Sequence, residues 1–293
     1  MNFNEFSKNI LCKTQLYLGS DYEVSLRNVT KNNGLKLTGI IGRKLESSIS
    51  PTIYIDQYYK EDITEYDVDY LGLKIANSIK GANFEREDII EDFLIFEKIK
   101  DYIFIKLINA EANKELLLEV PYRRFHNLAI VYLYLADGRV DNTATIMIRN
   151  EYLSKWEINE NELYERAIIN TPKIMPFNTI NMRDVINGMS GQKIFDEDFP
   201  LYVISNSYKL FGAHALIYDE YMSHVAQILG GSFYIIPSSI HELIVLADDS
   251  DRNPKELIEM ITQINKTEVL YDEVLADSLY YYDIEEEKVN WIC

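Results

Sequence analysis

The sequence predicts an α/β protein, or its α+β variant, built from mixed sheets flanked by helices. Three observations carry this reading. Period-2 stretches rich in Ile, Val, Tyr and Thr recur along the chain. Segments of helical periodicity separate them, an interleaving that favours layered sheets and helices over a bundle or a sandwich. The 293 residues are 47% hydrophobic and 26% charged, the average of a folded chain.

The elements follow in order. Phe3, Phe6, Ile10 and Leu11 recur at helical spacing among Glu5, Lys8 and Lys13, which predicts a helix over Asn4–Tyr17 and not a secretory leader. Strands are expected at Tyr22–Val29, Leu35–Ile41 and Thr52–Ile55, then helices at Val68–Lys80 and Glu87–Phe96. Strands Tyr102–Ile108, Leu128–Ala136 and Thr143–Ile148 come next, then a helix over Glu160–Asn170. Leu128–Ala136 is the longest apolar run; a membrane span needs about 20 residues, so it is a strand. Pro172, Pro176, Asn178, Asn181, Asn187, Gly188 and Gly191 punctuate Thr171–Phe199, which reads as a long ordered connection. Strands Leu201–Ser205 and Ala213–Tyr218 follow, then a helix over Glu220–Leu229 and a hairpin of Phe233–Ile236 and Glu242–Ala247. A helix over Pro254–Asn265 and a strand over Ser278–Tyr282 complete the series.

One helix start is legible in detail. Asn253 suits the cap, Pro254 the first turn, and Glu256 sits where a carboxylate reaches back to the cap residue. A weak internal repeat also emerges: Ala144–Ser154 matches Ala213–Ser223, with a fainter copy at Thr52–Tyr59. Each copy reads as a strand running into a short helix. Three related α/β units are therefore expected, at 1–98, 99–195 and 196–293.

Charge is distributed unevenly. The net charge is −18, yet residues 1–150 carry 22 acids and 19 bases, whereas from Asp196 onward there are 19 acids and 5 bases. An acidic chain is unsuited to nonspecific contact with nucleic acid or anionic membrane. The acidic C-terminal unit is either a solubilising surface or a face directed at a basic protein partner.

With two Cys and four His, the chain lacks C-x-x-C, H-E-x-x-H, phosphate-loop and dinucleotide-binding motifs. No cofactor and no metal is expected, and the cysteine count suits a reducing cytoplasm. In the Pro237–Glu242 turn, Ser238 or Ser239 is a candidate nucleophile, His241 a base and Glu242 its orienting partner. The plainer alternative is a turn whose His and Glu cap the second strand. Asp248, Asp249 and Asp251 cluster before the helix cap, but the glycine of a calcium loop is missing, so they read as an acidic turn. Tyr280, Tyr281 and Tyr282, beside Glu285, Glu286 and Glu287, form a candidate aromatic–acidic contact surface, although strand alternation also accounts for two of the tyrosines.

The runs Leu201–Asn206, Pro237–Glu242, Ile264–Val269 and Val274–Tyr280, with Pro172–Ile180, resemble the bacterial family catalogued as domain of unknown function 5688. The similarity is clearest over residues 170–285. It implies a cytoplasmic protein of anaerobic gut bacteria and their mobile elements, and it transfers no catalytic residue. The expected function is that of a non-enzymatic acidic interaction protein. In its specific form it is a mobile-element or phage-encoded inhibitor bound to a basic surface of a host defence protein. The alternatives are a hydrolase or metal-dependent enzyme using Ser238, His241 and Glu242, and a scaffold.

Overall fold

Helix α1 (Phe3–Leu18) starts where Asn2 accepts from the Glu5 N–H at 2.9 Å, while the Glu5 carboxylate accepts from the Asn2 N–H at 3.2 Å. This is the first element of a computed structural model that describes residues 1–45, 50–81, 89–136, 145–184, 201–248 and 253–292. Contacts divide the chain into two compact units: Met1–Lys31 with Leu35–Asp92, and Asn32–Gly34 with Phe93–Cys293.

In the first unit, β1 (Tyr22–Thr30), β2 (Lys36–Lys44) and β3 (Thr52–Tyr54) form an antiparallel meander. Tyr22, Val24, Leu26, Ile40 and Ile53 project from one face into a core shared with Phe6, Ile10, Val68, Ile75 and Ile79 of α1 and α2 (Glu65–Gly81). The two helices approach closely at Gly72, where a Cβ would lie 2.5 Å from Lys13 Cβ. Asp69 accepts from Lys13 Nζ at 2.6 Å and from the Tyr17 hydroxyl at 2.8 Å across the same helix pair.

The second unit holds two sheets. In one, β6 (Leu128–Leu135), buried at every residue, lies between β4 (Ile103–Asn109) on one side and β5 (Tyr122–Phe125) and β7 (Thr145–Met147) on the other. The other runs β13-β12-β10-β11-β9-β8, comprising β8 (Phe177–Asn181), β9 (Leu201–Asn206), β10 (Phe233–Ile236), β11 (Leu243–Ala247), β12 (Leu279–Asp283) and β13 (Lys288–Ile292). Helices α3 (Ile89–Phe93), α4 (Phe96–Ile99), α5 (Asn150–Trp156), α6 (Glu160–Ile174), α7 (Asp219–Leu229) and α8 (Pro254–Thr267) complete the chain. Leu257, Ile258 and Ile261 of α8 pack against Tyr234, Ile236, Leu279 and Tyr281 on one face of the second sheet.

The α/β class is present, and among the described residues every strand pair is antiparallel, which places the protein at the α+β end of that class. Each expected unit contains a sheet, but β8, from the middle segment, joins the sheet of the last one. The Asn253 cap forms as read, with its side chain accepting from Lys255 N–H at 3.1 Å.

Some elements differ from expectation. Ala213–Tyr218 is not a strand but part of a 3-10 helix, Gly212–Ile217, buried on all sides except at its end. Gly212 lies against the 237–242 turn; a Cβ there would come within 2.5 Å of His241 O and 2.6 Å of Ser205 Oγ. The two stronger repeat copies therefore share the helix that follows but not the element before it. Residues 87–88 of the expected Glu87–Phe96 helix lie outside the described residues, and the remainder breaks after Phe93. Strands β5, β8 and β13 are not predicted by the sequence pattern, whereas α5 is the short helix expected in the first of the two stronger repeat copies.

Helix α6 runs through Pro172, which has no N–H for the carbonyl of Ile168. The Tyr218 hydroxyl donates to that carbonyl at 2.9 Å and replaces the missing bond. The same helix covers the outer edge of β4: Thr171 Oγ1 accepts from Ile105 N–H at 3.0 Å, and Asn170 Nδ2 donates to Ile103 O and Lys100 O.

Two stability predictions follow from this packing. Tyr218→Phe leaves Ile168 O without its donor and costs about 1–2 kcal/mol in urea unfolding. Gly72→Ala, although it favours helix by about 1 kcal/mol, drives Cβ into Lys13 and gives a net loss of about 1–2 kcal/mol by the same measurement.

Candidate functional site

The residues singled out around Pro237–Glu242 converge on a segment that has no secondary structure, 268–278. Six successive carbonyls of it are satisfied from elsewhere. Asn33 Nδ2 donates to Tyr271 O and Val274 O, Asn32 to Asp272 O, Asn109 to Leu275 O and Asn265 to Ala276 O. Ile240 N–H takes Glu273 O at 2.8 Å. Asn113 locks Asn33 by bonding its backbone N–H and its side-chain oxygen, and Asn33 holds a left-handed φ of 58°, which asparagine tolerates.

Opposite this segment stands the 206–211 loop. The Asn206 side chain accepts from Tyr208 and Leu210 N–H and donates to Leu210 O, coiling the loop so that Lys209 and Phe211 adopt left-handed φ of 52° and 55°. The Phe211 ring stacks between Phe104 and His241, at 6.1 and 5.6 Å between centroids, and Lys106 Nζ lies 4.9 Å from its centre. Lys106 is buried between Phe104 and Ile108 on the apolar face of β4.

His241 Nδ1 accepts from the Phe211 N–H at 3.2 Å, so in the neutral ring the proton sits on Nε2, 3.6 Å from Glu273 Oε1. Burial pushes the imidazole pKa down and Lys106 adds to that, against the opposing pull of Glu273 and Asp272. A neutral His241 is what the Phe211 N–H requires. The imidazole holds the strained loop.

The serine arrangement does not assemble. Ser239 Oγ accepts from the backbone N–H of His241, not from its ring. Ser238 is buried, and its Oγ has no hydrogen-bond partner among the described residues. The ring nitrogens of His241 face Phe211 and Glu273, so Glu242 is not its orienting partner. Adjacent residues on a turn point apart, and the carboxylate came from 32 positions further along. Among the described residues no three His, Cys, Asp or Glu side chains are grouped to hold a metal.

The aromatic–acidic surface is also redistributed. Tyr280 and Tyr282 are fully buried; the first donates to Asn127 and the second stacks on Phe233. They are core residues, not contact residues. Tyr281 is half-buried on the opposite face, where its hydroxyl donates to Asp248 at 2.8 Å. Asp249 and Asp251 lie outside the described residues. Glu285, Glu286 and Glu287 are exposed at the tip of the β12–β13 hairpin. Asp283, beside these residues, accepts from Glu285 and Glu286 N–H at 2.8 and 3.3 Å and fixes the tip. An aspartate directly before a turn, whose side chain bonds the amide two residues on, is the signal that marks it. Ile284, 44% exposed, adjoins the acids, while Trp291, 43% exposed, lies further along β13 opposite Tyr280.

His214 belongs to no motif in the sequence. It is fully buried beside Phe177 and Tyr218, and among the described residues neither ring nitrogen has a hydrogen-bond partner.

The protein is thus an α/β protein of two compact units, antiparallel in its described sheets, with an exposed acidic hairpin. The chain belongs to the Family of unknown function (DUF5688), which matches residues 3–284. No curated protein and no solved structure matches it. Among the described residues no helix is long and apolar enough to cross a membrane.

Burial pushes the pKa of His214 from 6.5 down to about 4. The unfolded chain therefore binds the proton first, and the stability this residue contributes above pH 6.5 is lost as pH falls toward about 4. Urea unfolding of the wild type and His214→Leu at both pH values should show the wild type losing about 2–3 kcal/mol more than the variant.

Proposed function

We propose that the protein is a non-enzymatic interaction protein of the cytoplasm that sets its acidic C-terminal hairpin against a basic surface on a protein partner. One observation carries this reading. Among the described residues, Asp248, Asp283, Glu285, Glu286 and Glu287 form no ion pair with a cation, yet backbone and tyrosine hydrogen bonds hold two of them in place. Fixed, uncompensated carboxylates steer a basic partner and sacrifice little side-chain entropy on binding. Ile284, exposed beside the acids at the tip, supplies apolar contact for such a surface.

In its specific form the protein is carried by a mobile element or phage and inhibits a host defence protein by occupying that protein's basic, nucleic-acid-binding surface. It contacts neither nucleic acid nor membrane itself. The enzymatic alternative is the less supported reading, since neither Ser238 nor Ser239 bonds to the His241 ring.

Affinity purification from the native host tests the reading. A basic protein should co-purify with the wild type and be lost on combined Asp248→Lys, Glu285→Lys, Glu286→Lys and Glu287→Lys, with circular dichroism unchanged. Recovery should also fall as salt rises. Equal recovery by the charge-reversed protein overturns it.

A further inference from the structure

One hydrogen bond in the second unit exists in a single protonation state. His241 Nδ1 accepts the Phe211 N–H at 3.2 Å. An imidazolium carries a proton on both nitrogens and accepts nothing. Protonation therefore removes this bond and sets two donors against each other. What the bond restrains is strained, since Lys209 and Phe211 both hold left-handed φ, a costly conformation for a bulky residue.

The surroundings let the loop move while the ring stays. His241 is fixed through its backbone: Ser205 Oγ donates to its carbonyl at 2.8 Å, and its N–H donates to Ser239 Oγ at 3.0 Å. The hydrogen bonds within the 206–211 loop close on Asn206 and travel with the loop: Tyr208 and Leu210 N–H reach the Asn206 side chain, and Lys209 N–H reaches Asn206 O. Past Phe211 the chain is anchored again, with Ala213 N–H on Ile240 O at 3.3 Å.

The charged form also has a partner in place. Nε2 lies 3.6 Å from Glu273 Oε1, and the Glu273 backbone is held by Ile240 N–H. The His241 side chain is 23% exposed and that of Glu273 38%, so a proton reaches the ring without unfolding. Charged groups approach the ring from two elements. Glu273 and Asp272 of the 268–278 segment favour the imidazolium, and Lys106 of β4 opposes it. Tyr208 and Lys209 on the loop, Glu242 on the turn and His214 on the 3-10 helix are the other titratable side chains of the elements around it.

We infer that the His241–Phe211 bond is an acid-sensitive latch: protonation of the imidazole releases the 206–211 loop, Glu273 holds the charge, and the Phe211 ring uncovers Phe104 and Lys106. Burial is the largest influence on the closed ring and keeps its pKa below the ordinary 6.5. In the released form the ring is solvated and retains Glu273, so it binds a proton more readily. The sign follows: closure is strongest above about pH 6.5 and weakens as pH falls below it. One pH unit below, protons favour the released form by about tenfold. The inference shares no residue with the acidic hairpin and stands or falls apart from it.

Amide hydrogen exchange read by NMR at about pH 7.5 and about pH 5.5, corrected for intrinsic rates, tests the latch. In the wild type, protection of the Phe211 amide should fall by about tenfold or more at the lower pH, with β6 amides losing much less. His241→Asn places a side-chain oxygen that accepts the same amide and does not titrate, so Phe211 protection should agree within about twofold at the two pH values. Glu273→Gln keeps the latch and removes the partner of the charged ring, so its loss at about pH 5.5 should be smaller than that of the wild type. Equal Phe211 protection at both pH values in the wild type overturns the inference. So does an equal loss in β6, which is global unfolding to which the burial of His214 contributes. A full acid loss in His241→Asn, or a loss in Glu273→Gln no smaller than that of the wild type, overturns it as well.

Discussion

The second unit depends on satisfying a stretch of backbone that makes no ladder of its own. Between Tyr271 and Ala276 every carbonyl accepts a bond, five of them from asparagine side chains and one from the Ile240 amide. A buried carbonyl without a donor costs about 1–3 kcal/mol, so Leu275 and Ala276, the buried end of this stretch, depend on the donors aimed at their carbonyls. Asparagine is suited to the task, since one short amide donates twice and accepts at the same time. Asn33 uses all of these, with two carbonyls on its nitrogen and Asn113 on its oxygen.

What the segment positions explains the neighbourhood of His241. Glu273 is presented to the imidazole because its own carbonyl is anchored to Ile240, one residue before the histidine. The imidazole in turn accepts the amide of Phe211, whose left-handed conformation would otherwise be costly for a bulky residue. The Phe211 ring then covers Lys106 on the apolar strand. Backbone bonds, one stacked ring and one neutral histidine thus form a chain of mutual support. Strain is stored at Phe211, and its neighbours hold it there.

The legible parts of this architecture were those set by local pattern. Leu128–Ala136 declares itself because a strand covered on both faces is apolar throughout, and the Asn253 cap is visible because its chemistry spans only a few residues. Gly212–Ile217 was misread because a short apolar run has no period that separates a buried strand from a buried helical turn. Strand β8 hid in a segment rich in Pro and Asn, being made a strand by its partner β9 rather than by its own composition. Tyr280 to Tyr282 alternate as a strand should, but which face meets the core is fixed by the packing of distant elements. Glu273 as the companion of His241 was illegible for the same reason: no local rule links a carboxylate to an imidazole across that length of chain.

The asparagine bonds also order the making of the protein in time. Asn32, Asn33, Asn109 and Asn113 leave the ribosome early, whereas the carbonyls they or their partners serve lie 166 to 241 residues later for the bonds to Asp272, Tyr271, Val274 and Leu275. Contacts of such separation close late and incur the full loop entropy. Until residues 271–275 have been synthesised, those amides wait in water. A nascent or prematurely terminated chain thus holds a sheet around β6 without the segment that closes the unit over it, and is a natural client for a chaperone.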